Sequence, residues 1–597
     1  MVKSDYKISD IYGGGSSPLN YYKNDYFPTG KFGMTTDPRS ANILQEVSSK
    51  LSSGVKNIEI EGVSSEIFDS IPKQALKEVS RLSKLVGVDV SLHAPVMNVS
   101  GLTQQGYYED ERESSERRII EILKRAKELK PEGNITVNFH SSEGIPGSIP
   151  LPPSKRKKGE EYEKIIAVNK NTGKLILIEP ETKYLPKESG GITLERYSPE
   201  KKLKAINDEE WENQISQLLF QKERADEILE SNRPFVEHLI SDIESGKISE
   251  RDIEKLSYQQ LTALHHYKNA MTYLEYVYKQ VKDLFSKAYE FGDEHQREEL
   301  TKISEQFGRN LSQAKVSEKK FPDPFVVSKA FQELLHELKN RKITPQIYVP
   351  VEEFALEKSS ETFGKAAYKA YKELQGKNVP ILVIENPPAG FALSTGQDIK
   401  NIVEKSREQF IKMAIDDGMP EPKAREEAEK IIGATWDVGH INMLRKYGYS
   451  EKEIISETEK VAPLVKHVHL SDNFGFEHTE LPMGMGNVPL KEMMEKLGER
   501  GFEAKKIIEA ASWWQHFKTQ PFQETLEAMG SPLYYMKMAP YWNQASGLYE
   551  NYLSGYGAML PQINYETFGA GFSRLPQELG GQMLNEGRSR FSGQPLE

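Results

Sequence analysis

IIGATWDVGH (431–440) and VKHVHLSD (465–472) are short apolar runs, each ending on residues able to bind a metal, with a charged helical stretch near 450–460 between them. Apolar runs without alternation are what parallel strands covered on both faces look like. The same unit repeats outward from this stretch. Downstream, a helical pattern at 489–500 leads to KKIIEAA (505–511), and upstream stands VPILVIENPP (379–388), followed by a helix after Thr395. Near the start, KFGMTT (31–36), NIEIEG (57–62), VDVSLHAP (88–95) and NITVNFHSS (134–142) read as strands. They are separated by the helical patterns SANILQEVSSKLSSG, IPKQALKEVSRLSKLVG and 109–130. Eight strands alternating with helices predict an α/β fold, a (β/α)8 TIM barrel. Six of the strand ends carry His93, His140, Glu385, Asp437 with His440, His469, and Glu509. Parallel strands closing into a barrel would gather these at its C-terminal mouth.

The barrel is interrupted. It is expected over 31–145 and 346–530, with roughly 200 residues (146–345) inserted between the fourth and fifth strands, far more than a connection needs. The insert opens with the Pro-rich, basic PLPPSKRKKGEEY, continues with a hairpin about Asn171, Thr172 and Gly173, and then turns to long charged helices from 208 to about 340. Leaving from the mouth side, it is expected either to cap the site or to serve assembly. Residues 1–30 read as an irregular arm, and 531–597 as a Gly- and Tyr-rich extension ordered against the barrel or a second subunit.

Composition narrows the chemistry. The 597 residues include no Cys, so thiolate ligands, disulfides and a cysteine nucleophile are excluded, and any metal must sit on His and carboxylates. A net charge of −11 and a pI near 5.8 argue against binding nucleic acid through bulk charge. No apolar stretch is long enough to span a bilayer, and MVKSDYKISD lacks the apolar core of a signal peptide, so a cytoplasmic protein with no membrane partner is expected.

Each candidate ligand taken singly has a structural reading: a hydrogen-bonded core histidine for His93 or His140, a loop cap for Glu385, a helix N-cap for Asp437 beside His440. Six strand ends in register favour the metal. His467, two residues before His469 and on the same face, is expected deeper in the barrel as a packing residue. Lys155, Arg156, Lys157 and Lys158 read as a solvated loop, Trp513 and Trp514 as a rim cover or stacking platform, and Asp472 with Asn473 as groups able to orient His469 or to contact a substrate hydroxyl. His265, His266 and His295 in the insert are given no role.

SLHAP, IENP, DVGH, HVHLSD and the loop HTELPMGMGN (478–487) resemble the xylose isomerase-like TIM-barrel superfamily, which includes endonuclease IV-type apurinic/apyrimidinic endonucleases and sugar isomerases and epimerases. The resemblance covers about 31–145 and 346–530. In the nuclease branch it implies one ion on His93, His140 and Glu385, and a second on Glu385, Asp437, His469 and Glu509. A third would use His440 with His478 and Glu480, which stand, order reversed, where that branch has Asp-x-His. It implies zinc, with manganese, magnesium or cobalt as alternatives, and phosphodiester cleavage of abasic or damaged DNA. The epimerase branch instead implies one ion and a Glu385/Glu509 acid–base pair acting on a small sugar. A third possibility is an inactive barrel that serves assembly, forming a homo-oligomer through the insert or the extension.

Overall fold

The computed structural model describes residues 32–513, with interruptions chiefly at 52–54, 246–255 and 314–321, together with Pro521 and Thr525. The expected 1–30 arm, the 531–597 extension and Trp514 lie outside the described residues.

All eight expected strands form: β1 (Phe32–Thr35), β2 (Asn57–Glu61), β3 (Asp89–His93), β4 (Thr136–His140), β5 (Ile381–Glu385), β6 (Ile432–Asp437), β7 (Val465–Leu470) and β8 (Lys505–Ile508). Each pairs in parallel with its neighbours in sequence order, and β8 pairs with β1, closing the barrel. Strand alternation sorts the side chains. On the outward face Phe139 meets Phe363 of the helix Val351–Glu373 with ring centroids 6.1 Å apart, and the buried Trp436 donates to Thr458 Oγ1 at 3.1 Å, in the helix Glu451–Val461. Each such buried ring contributes a few kcal/mol of hydrophobic stabilisation, about 1.5–3 for Phe. The inward face is polar: Asn57, Glu59, Ser91, Asn138, Thr435 and His467 are buried within the barrel strands.

The register then lines up the strand ends. Glu61 stands beside His93, His140 beside Glu385, and Asp437 beside His469. Side chains at one level of adjacent parallel strands share a face, so pairing alone collects these six around the mouth.

The chain divides into two compact units, one of Met1–Val168, Thr172–Glu179 and Pro350–Glu597, the other of Asn169–Asn171 and Pro180–Val349. The hairpin expected about Asn171–Gly173 forms, Tyr162–Asn169 running antiparallel to Leu175–Ile178, and most of it falls in the barrel's unit. The second unit is built from the helices Pro199–Ser231, Arg233–Glu244, Tyr258–Phe291, Glu294–Ser312 and Pro324–Asn340, preceded by a second hairpin of Glu181–Pro186 and Ile192–Tyr197. Capping boxes, Ser257 with Gln260 and Asp293 with Gln296, start two of the helices and contribute about 1 kcal/mol each. Trp211, Ile215, Tyr267, Leu274 and Phe331 lie in one apolar core.

Candidate metal centre at the barrel mouth

Glu385, at the end of β5, is wholly buried, and its two carboxylate oxygens face different ways. Oε2 lies 3.4 Å from His93 Nε2 and 3.7 Å from His140 Nε2. Oε1 lies 2.9 Å from His469 Nδ1 and 3.7 Å from His440 Nδ1. Asn138 Nδ2 also donates to Oε2. Burial opposes ionisation of this carboxyl, but the imidazoles of His469 and His140 outweigh it and hold it well below the ordinary carboxylate range.

On the Oε2 side, His93 and His140 turn Nε2 towards each other at 3.2 Å. Burial depresses His140 to about 3, so it is neutral and a ready ligand at physiological pH. Two imidazole nitrogens bound about 2.0–2.1 Å from one tetrahedral ion lie about 3.3 Å apart, which is the spacing of this pair.

On the Oε1 side, His469 Nδ1 is also 3.0 Å from Glu509 Oε1. Asp437 caps the short helix Val438–Asn442 by accepting the His440 N–H at Oδ1, 2.6 Å. Its Oδ2 is buried with no hydrogen-bond partner among the described residues. The cap and the ligand readings of Asp437 are therefore compatible, one oxygen for each. Burial, reinforced by the Glu385 charge, pushes Asp437 up to about 6, and burial followed by the same charge pushes Glu509 well above the carboxylate range. An orphaned carboxylate oxygen and like-charged acids crowded together form a donor set that a divalent cation fits. Gly439 is required between them, because a Cβ there would overlap Ser471 Oγ.

The third group sits at the open edge. His440 Nε2 is 2.8 Å from His478 Nε2, which is 3.4 Å from Glu480 Oε1, while His440 Nδ1 meets the Asn386 carbonyl at 2.7 Å. Burial and the neighbouring His478 hold His440 neutral, at about 3. Glu480 adopts φ +44°, the left-handed region that costs an L-residue about 1–2 kcal/mol. All nine residues singled out from sequence thus meet in one connected group.

Other residues behave differently from expectation. Asp472 and Asn473 do not orient His469. Asp472 accepts backbone N–H groups from Asn473 (2.9 Å), Gly484 (2.8 Å) and Val488 (3.1 Å), which folds the loop that presents His478 and Glu480. Gly486 has no Cβ to collide with that carboxylate. Asn473 donates to the Gly439 carbonyl at 2.8 Å. Trp513 is buried, which leaves it a cover, and Arg156 is tied to the Leu151 carbonyl and Tyr449 hydroxyl. Two residues escaped the sequence reading: Glu61, with Oε1 3.4 Å from His93 Nδ1, and Glu59, whose Oε2 bonds His467 Nε2 at 2.8 Å and whose Oε1 lies 2.9 Å from His469 Nε2. The signal was present in NIEIE, since a strand covered on both faces that alternates Ile with Glu must place both carboxylates inside the barrel.

Residues 423–530 match the family model for the xylose isomerase-like TIM barrel. An uncharacterised protein of Methanocaldococcus jannaschii is 32% identical over 80 residues, 13% of this chain and 26% of that protein, so the chain spans about a quarter of the length of the curated relative it matches. Among solved structures, a D-tagatose 3-epimerase-like protein is 12% identical at a TM-score of 0.34, with 84% of this chain and 99% of the other covered. D-Psicose 3-epimerase from Clostridium cellulolyticum H10, solved with D-tagatose, is 8% identical at 0.36, with 84% and 98% covered. At these scores neither likeness bears on activity. The described strands close into an eight-stranded parallel TIM barrel, and the match to the xylose isomerase-like family model runs across β6, β7 and β8.

Proposed function

We propose that the barrel mouth is a multinuclear divalent-metal site that hydrolyses a phosphodiester, as endonuclease IV-type enzymes do on abasic or damaged DNA. The observation that supports it is the division of Glu385: one oxygen faces His93 and His140, the other His469 and His440. A carboxylate placed between two separate ligand groups would suit sharing between two ions, one held by each group. A single-ion site has no need of the first group. Zinc suits this imidazole and carboxylate set, with no thiolate in the chain.

Bound in such a cluster, divalent ions lower the pKa of a water and neutralise charge on the attacked and leaving oxygens. The chain's own part is to hold the ligands in place. Asp437 offers Oδ2 while its Oδ1 is anchored by the His440 N–H, and His140 and His440 stand neutral without losing a proton. His478 and Glu480, on the loop braced by Asp472, are placed to meet substrate at the open edge.

A second reading, a sugar epimerase, rests on one observation. Glu385 is held well below the ordinary carboxylate range while Glu509, 3.0 Å from the same His469 Nδ1, is pushed well above it by burial, and two carboxyls set apart by their surroundings can serve as an acid–base pair. Metal content per chain, with assays on abasic-site duplex and on a ketohexose, separates the two. Two or three ions with strand cleavage support hydrolysis. One ion with ketose epimerisation supports the second reading. Protein that takes up no metal and has neither activity overturns both.

A further inference from the structure

The basic run KRKK (155–158), near the start of the insert, has no part in the metal centre, yet its backbone is firmly held. Ser154 donates its N–H to Glu453 Oε1 at 2.9 Å, and Arg156 donates to the Leu151 carbonyl at 2.9 Å and the Tyr449 hydroxyl at 3.2 Å. The Glu160 N–H closes the turn on the Lys157 carbonyl at 3.0 Å, with Gly159 left-handed at φ +77°. Tyr449 and Glu453 lie between β6 and the first turn of the helix Glu451–Val461, so the basic turn stands on the mouth side of the barrel. Lys155, Lys157 and Lys158 are exposed there and form no ion pair among the described residues.

Aromatic side chains are exposed along the same rim. Among the described residues of the barrel's unit, the exposed aromatics are Tyr108 (47%), Phe391 (37%) and Phe476 (66%), on the segments that follow β3, β5 and β7. The exposed aliphatics Leu85, Val86 and Ile415 instead end helices, at the opposite end of the barrel. Phe476 is displayed by a fixed loop: Gly475 donates its N–H to Asn473 Oδ1 at 2.8 Å and accepts the Lys446 N–H at its carbonyl, 3.2 Å. Two residues on is His478, at the open edge of the metal centre. Lys446 Nζ in turn donates to the Ala389 carbonyl, the Gly390 carbonyl accepts the Gly147 N–H at 2.8 Å, and Phe391 bridges to Pro146. Lys155 Nζ lies against Gly448, two residues beyond Lys446. Phe476, Phe391 and the basic turn therefore share one continuous stretch of rim.

Cations without partners set among aromatic faces are the combination that holds a nucleic acid strand by its phosphates and its bases. A neutral sugar would leave the lysines unused. In a duplex each base face is covered by its neighbours in the stack, so an aromatic platform serves bases that are unpaired. We infer that this stretch of rim binds a nucleic acid strand with unpaired bases: Phe476 and Phe391 take base faces beside the metal centre, and Lys155, Lys157 and Lys158 take backbone phosphates, so that single-stranded substrate is preferred to duplex. The inference rests on the phosphodiester reading of the site and adds to it the state of the strand. It also gives phosphate a local point of attraction in a chain whose net charge of −11 supplies none.

The test uses the full-length, zinc-loaded protein and one end-labelled oligonucleotide with a single abasic site, presented alone or annealed to its complement. Wild type is expected to cleave the single strand at the lower KM. Stacking of one base on an aromatic ring is worth about 5–150-fold in affinity, so Phe476→Ala should raise KM on the single strand by about that factor, with metal content per chain unchanged. Lys155→Gln, Lys157→Gln and Lys158→Gln combined should lower the slope of log binding constant against log salt by about 2, at about 0.7 for each phosphate contact on a single strand. Circular dichroism establishes that both variants are folded. A KM on duplex as low as on the single strand overturns the inference on wild type alone and leaves the hydrolytic reading standing. So does a folded Phe476→Ala with the wild-type KM, or a triple variant with the wild-type salt slope. Wild-type protein that cuts neither form overturns the hydrolytic reading and this inference with it.

Discussion

The two compact units bury opposite kinds of surface. The helical unit encloses hydrocarbon: Trp211, Ile215, Leu274 and Phe331 pack together, and its buried Lys222 is answered by Asp226 and Gln332 at 2.6 and 2.7 Å. The barrel interior encloses ionisable groups: Glu59, Glu61, Glu385, Asp437 and Glu509 among His93, His140, His440, His467 and His469. Hydrophobic burial explains the first as a product of folding. It cannot explain the second, since desolvating charged groups costs stability unless each meets a partner. A barrel that gathers so many acids and imidazoles at one end is accounted for by the proposed metal site, and the helical unit by its own core.

The largest expected effect follows from that contrast. Glu385→Gln keeps shape and removes the charge on which both ligand groups converge. Because partners that merely back a ligand are worth about 10–100-fold, loss of the shared ligand should weaken metal binding by more than about 100-fold and take activity to background, with the far-ultraviolet dichroism unchanged. Full metal content in the folded variant would remove Glu385 from the centre of the site. The matching change in the helical unit is Phe331→Ala. Its ring lies 5.4 Å from Phe307 and 5.9 Å from Tyr278, and its deletion should cost about 3–5 kcal/mol. If the units are energetically distinct, a melting curve shows the helical transition lowered while zinc still raises the barrel transition. A single transition that moves as one would break the comparison.

A buried acid without a cation sharpens it further. Glu352, in the helix Val351–Glu373, accepts the Ser148 N–H at 2.5 Å and hydroxyl at 2.9 Å, and burial pushes it up to about 7 from 4.5. Between those values the folded state holds a proton that the unfolded chain has released, so stability falls as pH rises from about 4.5 to 7 and is flat above. The total is on the order of 3 kcal/mol. Glu352→Gln should remove that slope. Urea midpoints at pH 5 and pH 8 are expected to differ more in wild type than in the variant, and equal differences would show that Glu352 is ionised when folded.

Much of the barrel was legible because its signals are local. Apolar runs such as ILVIE and VKHVH end on a ligand-capable residue, and the parallel register does the rest without further information from the chain. Glu59 and Glu61 were not singled out, because alternating Ile and Glu is also the pattern of a half-exposed strand. Only closure of the barrel turns the polar face into an interior. Asp472 was misread for a related reason: proximity in sequence to His469 suggested a bond to its ring, whereas a tight loop offers backbone N–H groups that satisfy a buried carboxylate more fully. The division of the insert was invisible in composition, since it depends on which neighbours the Tyr162–Ile178 hairpin packs against.

The smallest expected effect tests whether the mouth holds strain for a purpose. Glu480 is left-handed at φ +44° although Gly484 and Gly486 stand nearby in the same loop, where a glycine would be free of the penalty. Side chains kept in such conformations tend to be those a site requires. Glu480→Gly should raise the stability of the barrel by about 1 kcal/mol, from relief of the left-handed backbone less the added freedom of the unfolded chain. At the same time it removes the carboxylate 3.4 Å from His478. A variant that melts higher yet holds less metal would show stability and ligand geometry opposed at one residue. One that melts higher and keeps its full complement of metal would confine the centre to the two groups that share Glu385 and leave His478 at its edge as a substrate contact.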